Sequence, residues 1–177
     1  SNCGARVTLR IPPEDDRPRF VCDHCGAIHY ENPKMVVGCI PERNGKILLC
    51  RRAIRPGYGK WTLPAGYMEN NETVHEGVRR ETLEEAGATI QDMAPFALLN
   101  LSFISQVYLM FRARLVEINF ASGGESLEIE LFEEKHIPWN QIAFPVIRET
   151  LRLYFADRPL GEFAFHVKDL LPDGSVR

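Results

Sequence analysis

Residues 66–88 read GYMENNETVHEGVRRETLEEAGA, and the reading of the second half of that stretch decides the fold. A helix over 73–86, stopped by Gly87, turns Val74, Val78 and Leu83 toward a core and sets Glu81, Glu84 and Glu85 at i, i+3 and i+4 on one face. Asn71 is the expected N-cap, and Glu72 in the first turn suits the helix dipole. Gly77 weakens a helix interior, so a close packing contact or a bend is implied there. Three like charges on one face repel. Two arrangements relieve them: a solvated face paired with Arg79 and Arg80, or a hard divalent cation such as Mg²⁺ held by the carboxylate oxygens. Glu69 and Glu76 acquire no role from spacing.

Upstream, MVVGCI at 35–40 has the length and β-branched content of a buried strand, and Asn44-Gly45 is a two-residue hairpin turn into KILLCRR at 46–52. The Gly- and Pro-rich run AIRPGYGKWTLPAG at 53–66 then brings Arg51, Arg52, Arg55 and Lys60 close in sequence to the acidic helix. Basic side chains there suit an anionic, phosphorylated substrate, or an ordinary solvated loop. Downstream, 88–93, 95–104 and 105–118 read as strands, the last with Val107, Leu109, Phe111 and Ala113 alternating with Tyr108, Met110, Arg112 and Arg114. Gly123 and Gly124 mark a turn into ESLEIELF at 125–132, whose Leu127, Ile129 and Leu131 point away from Glu128 and Glu130. Residues 138–158 read as a second helix with Ile147, Leu151 and Tyr154 or Phe155 at helical spacing. A final strand is expected within 161–170 and a loose tail over 173–177.

The first thirty residues differ in kind. SNCG at 1–4 and CDHCG at 22–26 are related fragments separated by a Pro-rich, charged loop. Cys22 and Cys25 form C-x2-C, and a glycine follows the last cysteine of each fragment, as suits a tight turn whose N–H groups point at metal-bound sulfur. With Cys3 they make three ligands of a tetrahedral Zn²⁺ site. The fourth is expected immediately before Ser1, or from His24 or His29; the alternative is unrelated free thiols in a flexible arm. Cys39 and Cys50 sit in apolar runs and read as buried small hydrophobes. Two segments follow: a zinc-ribbon-like 1–32 and a larger domain at 33–177.

A chain of 177 residues, 45% hydrophobic and 25% charged, can bury an ordinary core. The net charge of -3 argues against nucleic-acid binding through a basic surface, and no apolar run approaches the ~20 residues that span a bilayer. A soluble, cytoplasmic protein with no membrane partner is expected. No Ser-His-Asp set stands at local spacing, so metal-assisted attack of water on a phosphoric anhydride is the leading chemistry.

Gly66, Glu72, Arg80, Glu81, Thr82, Leu83, Glu84, Glu85, Gly87 and Ala88 fall in register with G-x5-E-x7-R-E-U-x-E-E-x-G-U, where U is aliphatic. The segment resembles the signature of the Nudix hydrolases, with Thr82 and Ala88 in place of bulkier aliphatics. The resemblance implies an α/β fold, an α/β/α sandwich with a mixed sheet, here preceded by a small zinc ribbon. It implies Mg²⁺ or Mn²⁺ on Glu81, Glu84 and Glu85, helped by the carbonyl of Ala65 or Gly66, while Glu72, Arg80 and Gly87 brace the box. The general base would be a box glutamate or a later carboxylate, Glu125 or Glu128. The ribbon, the run IHYENPKMVVGCIPE at 28–42 and GGESLEIELF at 123–132 resemble a bacterial and plant-plastid branch acting on FAD and ADP-ribose. That branch implies cleavage of a dinucleotide pyrophosphate with release of AMP, with Arg51, Arg52 and Lys60 on the substrate, in a homodimer. Zinc-bearing NADH pyrophosphatases carry SQPWPFPxS after the box, where this chain has SQVYLMF at 105–111, which demotes NADH. A nucleotide-sensing module without catalysis and a capped-RNA hydrolase are the other rivals, the latter asking for a broad basic groove. Tyr58, Trp61, Tyr67 and Phe103 are the candidates to stack on adenine or flavin.

Overall fold

Ile47, Leu48, Leu49 and Cys50 are consecutive and all buried, and in a strand neighbours face opposite ways, so this sheet needs apolar cover on both sides. The computed structural model describes residues 3–119 and 125–177 and supplies that cover. The turn expected at Gly123 and Gly124 lies outside the described residues. The chain divides into two units, Ser1–Pro33 and Lys34–Arg177.

The first unit is a three-stranded antiparallel sheet of β1 (Val7–Arg10), β2 (Arg19–Cys22) and β3 (Ile28–His29), in that order. Its core is slight, with Val21 and Cys22 as its buried hydrophobics. A tight turn follows β2, in which the Gly26 N–H donates to the Cys22 carbonyl at 3.1 Å.

The second unit begins with β4 (Lys34–Arg43), β5 (Lys46–Arg52), β6 (Trp61–Thr62), β7 (Ala65–Tyr67) and helix α1 (Val74–Ala86). It continues through β8 (Ala88–Leu101), β9 (Gln106–Ile118), β10 (Ser126–Phe132), helix α2 (Pro145–Asp157) and β11 (His166–Asp169). The sheet order is β10-β5-β4-β9-β8-β11, with β6 added to β5 and β7 to β4. The β4–β9 and β8–β11 pairs are parallel and the others antiparallel, so the sheet is mixed. Leu48 and Cys50 pack with Val37, Phe111 and Val78 of α1; Ile47 and Leu49 pack with Met110 and with Ile147 and Leu151 of α2. An α/β/α sandwich results, and Phe111 and Met110, adjacent in β9, serve opposite cores.

The hairpin turn at Asn44-Gly45 has φ of 54° and 76°, the left-handed pair that such a turn requires. The segments expected as two strands, 88–93 and 95–104, form one long strand, Ala88–Leu101, and Ser102–Ile104 is a 3₁₀ turn rather than strand. Register shifts at Gln91/Ala94 and Pro95/Ala97 absorb Pro95, which has no N–H for the ladder. The second helix starts seven residues later than expected. Pro145 pushes Phe144 into an extended conformation (φ -129°, ψ 140°) and is itself the first helical residue; Trp139–Gln141 ahead of it is a separate 3₁₀ turn. The tail is not loose: Asp169 and Arg177 exchange two backbone hydrogen bonds, of 3.0 and 2.9 Å.

Helix α1 is capped by Thr73, not Asn71, which has φ 68° and belongs to the preceding turn. The Thr73 hydroxyl accepts from the Glu76 N–H at 3.3 Å and the Glu76 carboxylate accepts from the Thr73 N–H at 2.7 Å, a capping box that gives Glu76 its role. Leu83 is half exposed, because Glu81, Thr82, Glu85 and Ala86 occupy the buried face beside Val78. Thr82 is accommodated by donating to the Val78 carbonyl at 2.7 Å. Gly77 marks a close approach: a Cβ there would stand 2.9 Å from Val37 Cγ2 and 2.8 Å from a Glu72 carboxylate oxygen. Gly77→Ala is therefore expected to lose about 1 kcal/mol of stability in urea unfolding, overpacking outweighing the better helix propensity of alanine.

Candidate active site

Gly38 of β4 lets β7 lie close, since a Cβ at Gly38 would strike Ala65 and the Pro64 carbonyl. Strand β7 in turn lies over the buried face of α1, where the Ala65 N–H donates to a Glu85 carboxylate oxygen at 2.9 Å. At Gly66 a side chain would fall on the Glu81 carboxylate. Gly66→Ala is expected to lower kcat/KM about 10²-fold with little change in melting temperature, because a carboxylate can move aside but not keep its position. Unchanged turnover would show that the Glu81 position does not matter.

Arg80 organises the acids. Its Nε and Nη2 donate to the two Glu72 oxygens at 3.0 and 2.8 Å, its Nη1 donates to Glu81 at 2.7 Å and Glu84 at 3.0 Å, and its Nη2 also donates to the Tyr67 carbonyl at 3.1 Å. Only a guanidinium has enough donors in one plane for this. Glu72 is held down to a pKa of about 2, chiefly by the hydrogen bonds from Arg80 and then by the Glu69 N–H. Glu72 thus stands ahead of the helix and ties the loop to it rather than serving in the first turn. Glu81, Glu84 and Glu72 are accordingly salt-bridged through Arg80, and Arg79 takes no part.

Glu85 is different. It is 7% exposed, no cation pairs with it among the described residues, and burial pushes its pKa up to about 7, against the lowering effect of the Ala65 N–H. Burial also raises Glu81, in spite of Arg80. Two desolvated carboxylates with too little positive charge between them form a donor set that suits a hard divalent cation.

These acids line one end of a cavity of about 590 Å³, the size of small-molecule sites generally. Much of the remaining wall is apolar: Tyr67, Phe103, Tyr108, Phe144, Val146 and Leu170 come from five separate segments. Tyr67 and Phe103 are about half exposed there, and the Tyr67 hydroxyl accepts from Gln106 at 2.8 Å. Trp61 is instead a core residue, edge-on to Phe132, and Tyr58 lies in a separate surface depression.

The basic residues divide. Arg52 lines the cavity, its Nε donating to the Pro56 carbonyl at 2.8 Å and its guanidinium lying 5.1 Å from the centre of the Phe144 ring. Arg51 turns away to Gly59 and to Glu128, at 3.2 Å, and Lys60 shares the depression with Arg55 and Tyr58. Glu128 is thus spent on an exposed ion pair on β10, an edge strand, and does not line the cavity; Glu125, three residues earlier, does. Ala65 and Gly66 line it as well. The apolar wall was invisible locally, because Phe144 and Leu170 meet Tyr67 only through the folded sheet.

In the first unit the sulfurs of Cys3, Cys22 and Cys25 converge, with Cys3 Sγ 3.4 Å from Cys22 and 3.5 Å from Cys25. They are the one tight group of potential metal ligands among the described residues, and neither His24 nor His29 joins it. N–H groups of Cys25 and His24 point at Cys22 Sγ and lower its pKa to about 6, so a thiolate is ready at neutral pH. The box carboxylates do not converge in that way, Glu81 and Glu84 being drawn to Arg80.

A NUDIX domain profile matches residues 32–153, and a Nudix N-terminal zinc-ribbon profile matches 1–31. The chain belongs to the Nudix hydrolases. A Nudix hydrolase of Nitrosomonas europaea is 52% identical, and its crystal structure superposes with a TM-score of 0.89 over 96% of this chain and 97% of its own. The ADP-ribose pyrophosphatase of Methanocaldococcus jannaschii is 30% identical over 135 residues, 70% of this Nudix chain and 76% of that relative. The NAD-capped RNA hydrolase NudC of Photobacterium profundum is 28% identical over 163 residues, which cover 89% of this chain and 59% of the relative. The chain is accordingly a Nudix pyrophosphatase acting on a nucleotide derivative. Among the described residues no helix is long and apolar enough to cross a membrane.

Proposed function

We propose that the protein hydrolyses the pyrophosphate of a nucleoside diphosphate derivative, ADP-ribose or FAD, and releases AMP. The observation that carries this reading is the cavity itself, which joins a buried acidic face to an apolar, aromatic wall in one space. A substrate with a charged middle and a planar ring matches both ends.

Glu81, Glu84 and Glu85 would hold Mg²⁺ or Mn²⁺, since Glu85 is desolvated with no cation of its own. Such an ion, when bound, supplies positive charge to the pyrophosphate oxygens. The chain's own residues do the rest. Arg80 fixes Glu81 and Glu84 from one side, and Arg52 offers a guanidinium on the cavity wall to a phosphate oxygen. Proton exchange with the attacking water falls to a box carboxylate left free by the ion or to Glu125, the later carboxylate on the cavity wall. Tyr67, steadied by Gln106, and Phe103 receive the ring.

A second reading is NADH or NAD-capped RNA cleavage. It is favoured by the similarity of the NAD-capped RNA hydrolase over 89% of this chain, and it reopens nucleic acid as a partner despite the net charge of -3. Mass spectrometry of products from FAD, ADP-ribose, NADH, NAD and an NAD-capped oligoribonucleotide separates the two. AMP from ADP-ribose or FAD at the highest kcat/KM supports the first reading, and highest efficiency on the NAD-type substrates replaces it.

A further inference from the structure

Strand β10 is an edge strand, and its ladder with β5 is irregular where it begins: Ser126 stands opposite Arg52 and Glu128 opposite Arg51, so two steps of β10 match one of β5. A bulge at a strand end weakens regular pairing there and re-aims the neighbouring side chains. Two hydrogen bonds take over from the ladder. The Ala53 N–H donates to the Glu125 carbonyl at 2.8 Å, and the Ser126 hydroxyl donates to the Glu85 carbonyl at 2.6 Å. The second bond also meets a need of α1. The last carbonyls of a helix lack partners within it; the Gly87 N–H serves those of Thr82 and Leu83, and Ser126 serves that of Glu85. The same hydroxyl lies against the buried Cys50 thiol of β5, so it is held from the sheet side too.

Glu125 is thereby tied, one residue away, to the helix that carries the box. It lines the cavity with Glu81, Glu84 and Glu85, and among the described residues no cation pairs with it. Its charge reaches the box: burial is the chief cause of the raised Glu81 and Glu85, and Glu125 adds to both. Like charges would drive a loosely held strand end away from the box, and the Ser126 bond opposes that.

We propose that Ser126 is a positioning residue: by bonding the Glu85 carbonyl it holds Glu125 beside the box, where the Glu125 carboxylate accepts the proton of the attacking water. That proton is released as the water oxygen bonds to phosphorus and the bridging P–O bond breaks, its electron pair leaving with the departing phosphate. The inference rests on the proposed pyrophosphate hydrolysis and assigns the proton transfer to Glu125 rather than to a box glutamate.

The test combines Ser126→Ala, Glu125→Gln and the double substitution, assayed on ADP-ribose, with amide exchange of Ala53 followed by NMR in the full chain. Ser126→Ala is expected to lower kcat about tenfold with KM unchanged, and Glu125→Gln about 10²-fold. Added to Glu125→Gln, Ser126→Ala should cost nothing further, because a residue that acts through Glu125 has no effect once its carboxylate is gone. The Ala53 N–H, which reports the Glu125 anchor without turnover, should exchange about tenfold faster in Ser126→Ala, while Ser126→Thr, which keeps the hydroxyl, should hold kcat within about threefold of wild type. Thermal melts verify that each variant is folded. Full kcat in Ser126→Ala, the same loss in the Glu125→Gln background as in wild type, or unchanged Ala53 exchange would overturn the proposal. Full kcat in Glu125→Gln would overturn it as well. Failure of the wild type to hydrolyse ADP-ribose or FAD would instead count against the proposed activity; the cycle then runs on the substrate that the product screen selects, and Ala53 exchange still reads the anchor.

Discussion

Glu85→Gln raises the melting temperature of the metal-free protein at pH 8 while lowering kcat by about 10²- to 10⁴-fold. The two effects share a cause. Glu85 is buried with no cation partner, and its pKa rises from 4.5 to about 7 on folding. A folded pKa above the unfolded one means that the charged form is disfavoured in the native state, so its stabilising contribution is complete below about pH 4.5 and is lost as pH climbs through 7. Above that, the charge costs about 3 kcal/mol, or several degrees of melting temperature. Glutamine keeps the acceptor for the Ala65 N–H and removes the charge. The gap between variant and wild type should therefore narrow from pH 8 to pH 5.5, and Mn²⁺ should stabilise the wild type far more than the variant. Equal melting temperatures at pH 8 would mean that Glu85 is not strained by its surroundings.

Cys22→Ser, or prolonged chelation, is expected to abolish the fold of residues 5–30 while leaving the second unit protected from hydrogen exchange. Three strands of two to four residues, with Val21 and Cys22 as the buried hydrophobics, cannot hold themselves together. Structural zinc contributes on the order of 10 kcal/mol in small ribbons, enough to decide between folded and unfolded. Elemental analysis of wild type should give one zinc per chain and of the variant none. Retained protection of 5–30 without zinc would remove the metal from the account.

The box was legible because its glycines, arginine and glutamates have fixed spacing, and the hairpin because Asn44-Gly45 accepts left-handed backbone. The helix start was legible too, in the Thr73-x-x-Glu76 pattern, but the pull of Asn71 as a good capping residue hid it. Leu83 looks like core because apolar spacing cannot anticipate that Glu81 and Glu85 of the box claim the buried face. The start of α2 was misplaced because apolar periodicity runs through Pro145, whereas the steric effect of proline on Phe144 decides it. Arg51 and Arg52 are neighbours on β5 and point to opposite faces, so one reaches the cavity and the other pairs with Glu128. Choosing between Glu125 and Glu128 likewise required the register of β10 on β5, which no local pattern encodes. The rest of the cavity's apolar wall draws on Phe103, Tyr108, Phe144, Val146 and Leu170, all outside the box, and left no mark within it.

The most direct test compares wild type with Glu85→Gln on ADP-ribose and FAD in the presence of Mn²⁺, with products identified by mass spectrometry. The account predicts AMP with ribose 5-phosphate or FMN from the wild type and almost none from the variant. Full turnover by Glu85→Gln on either substrate would contradict the assignment of the box carboxylates to catalysis.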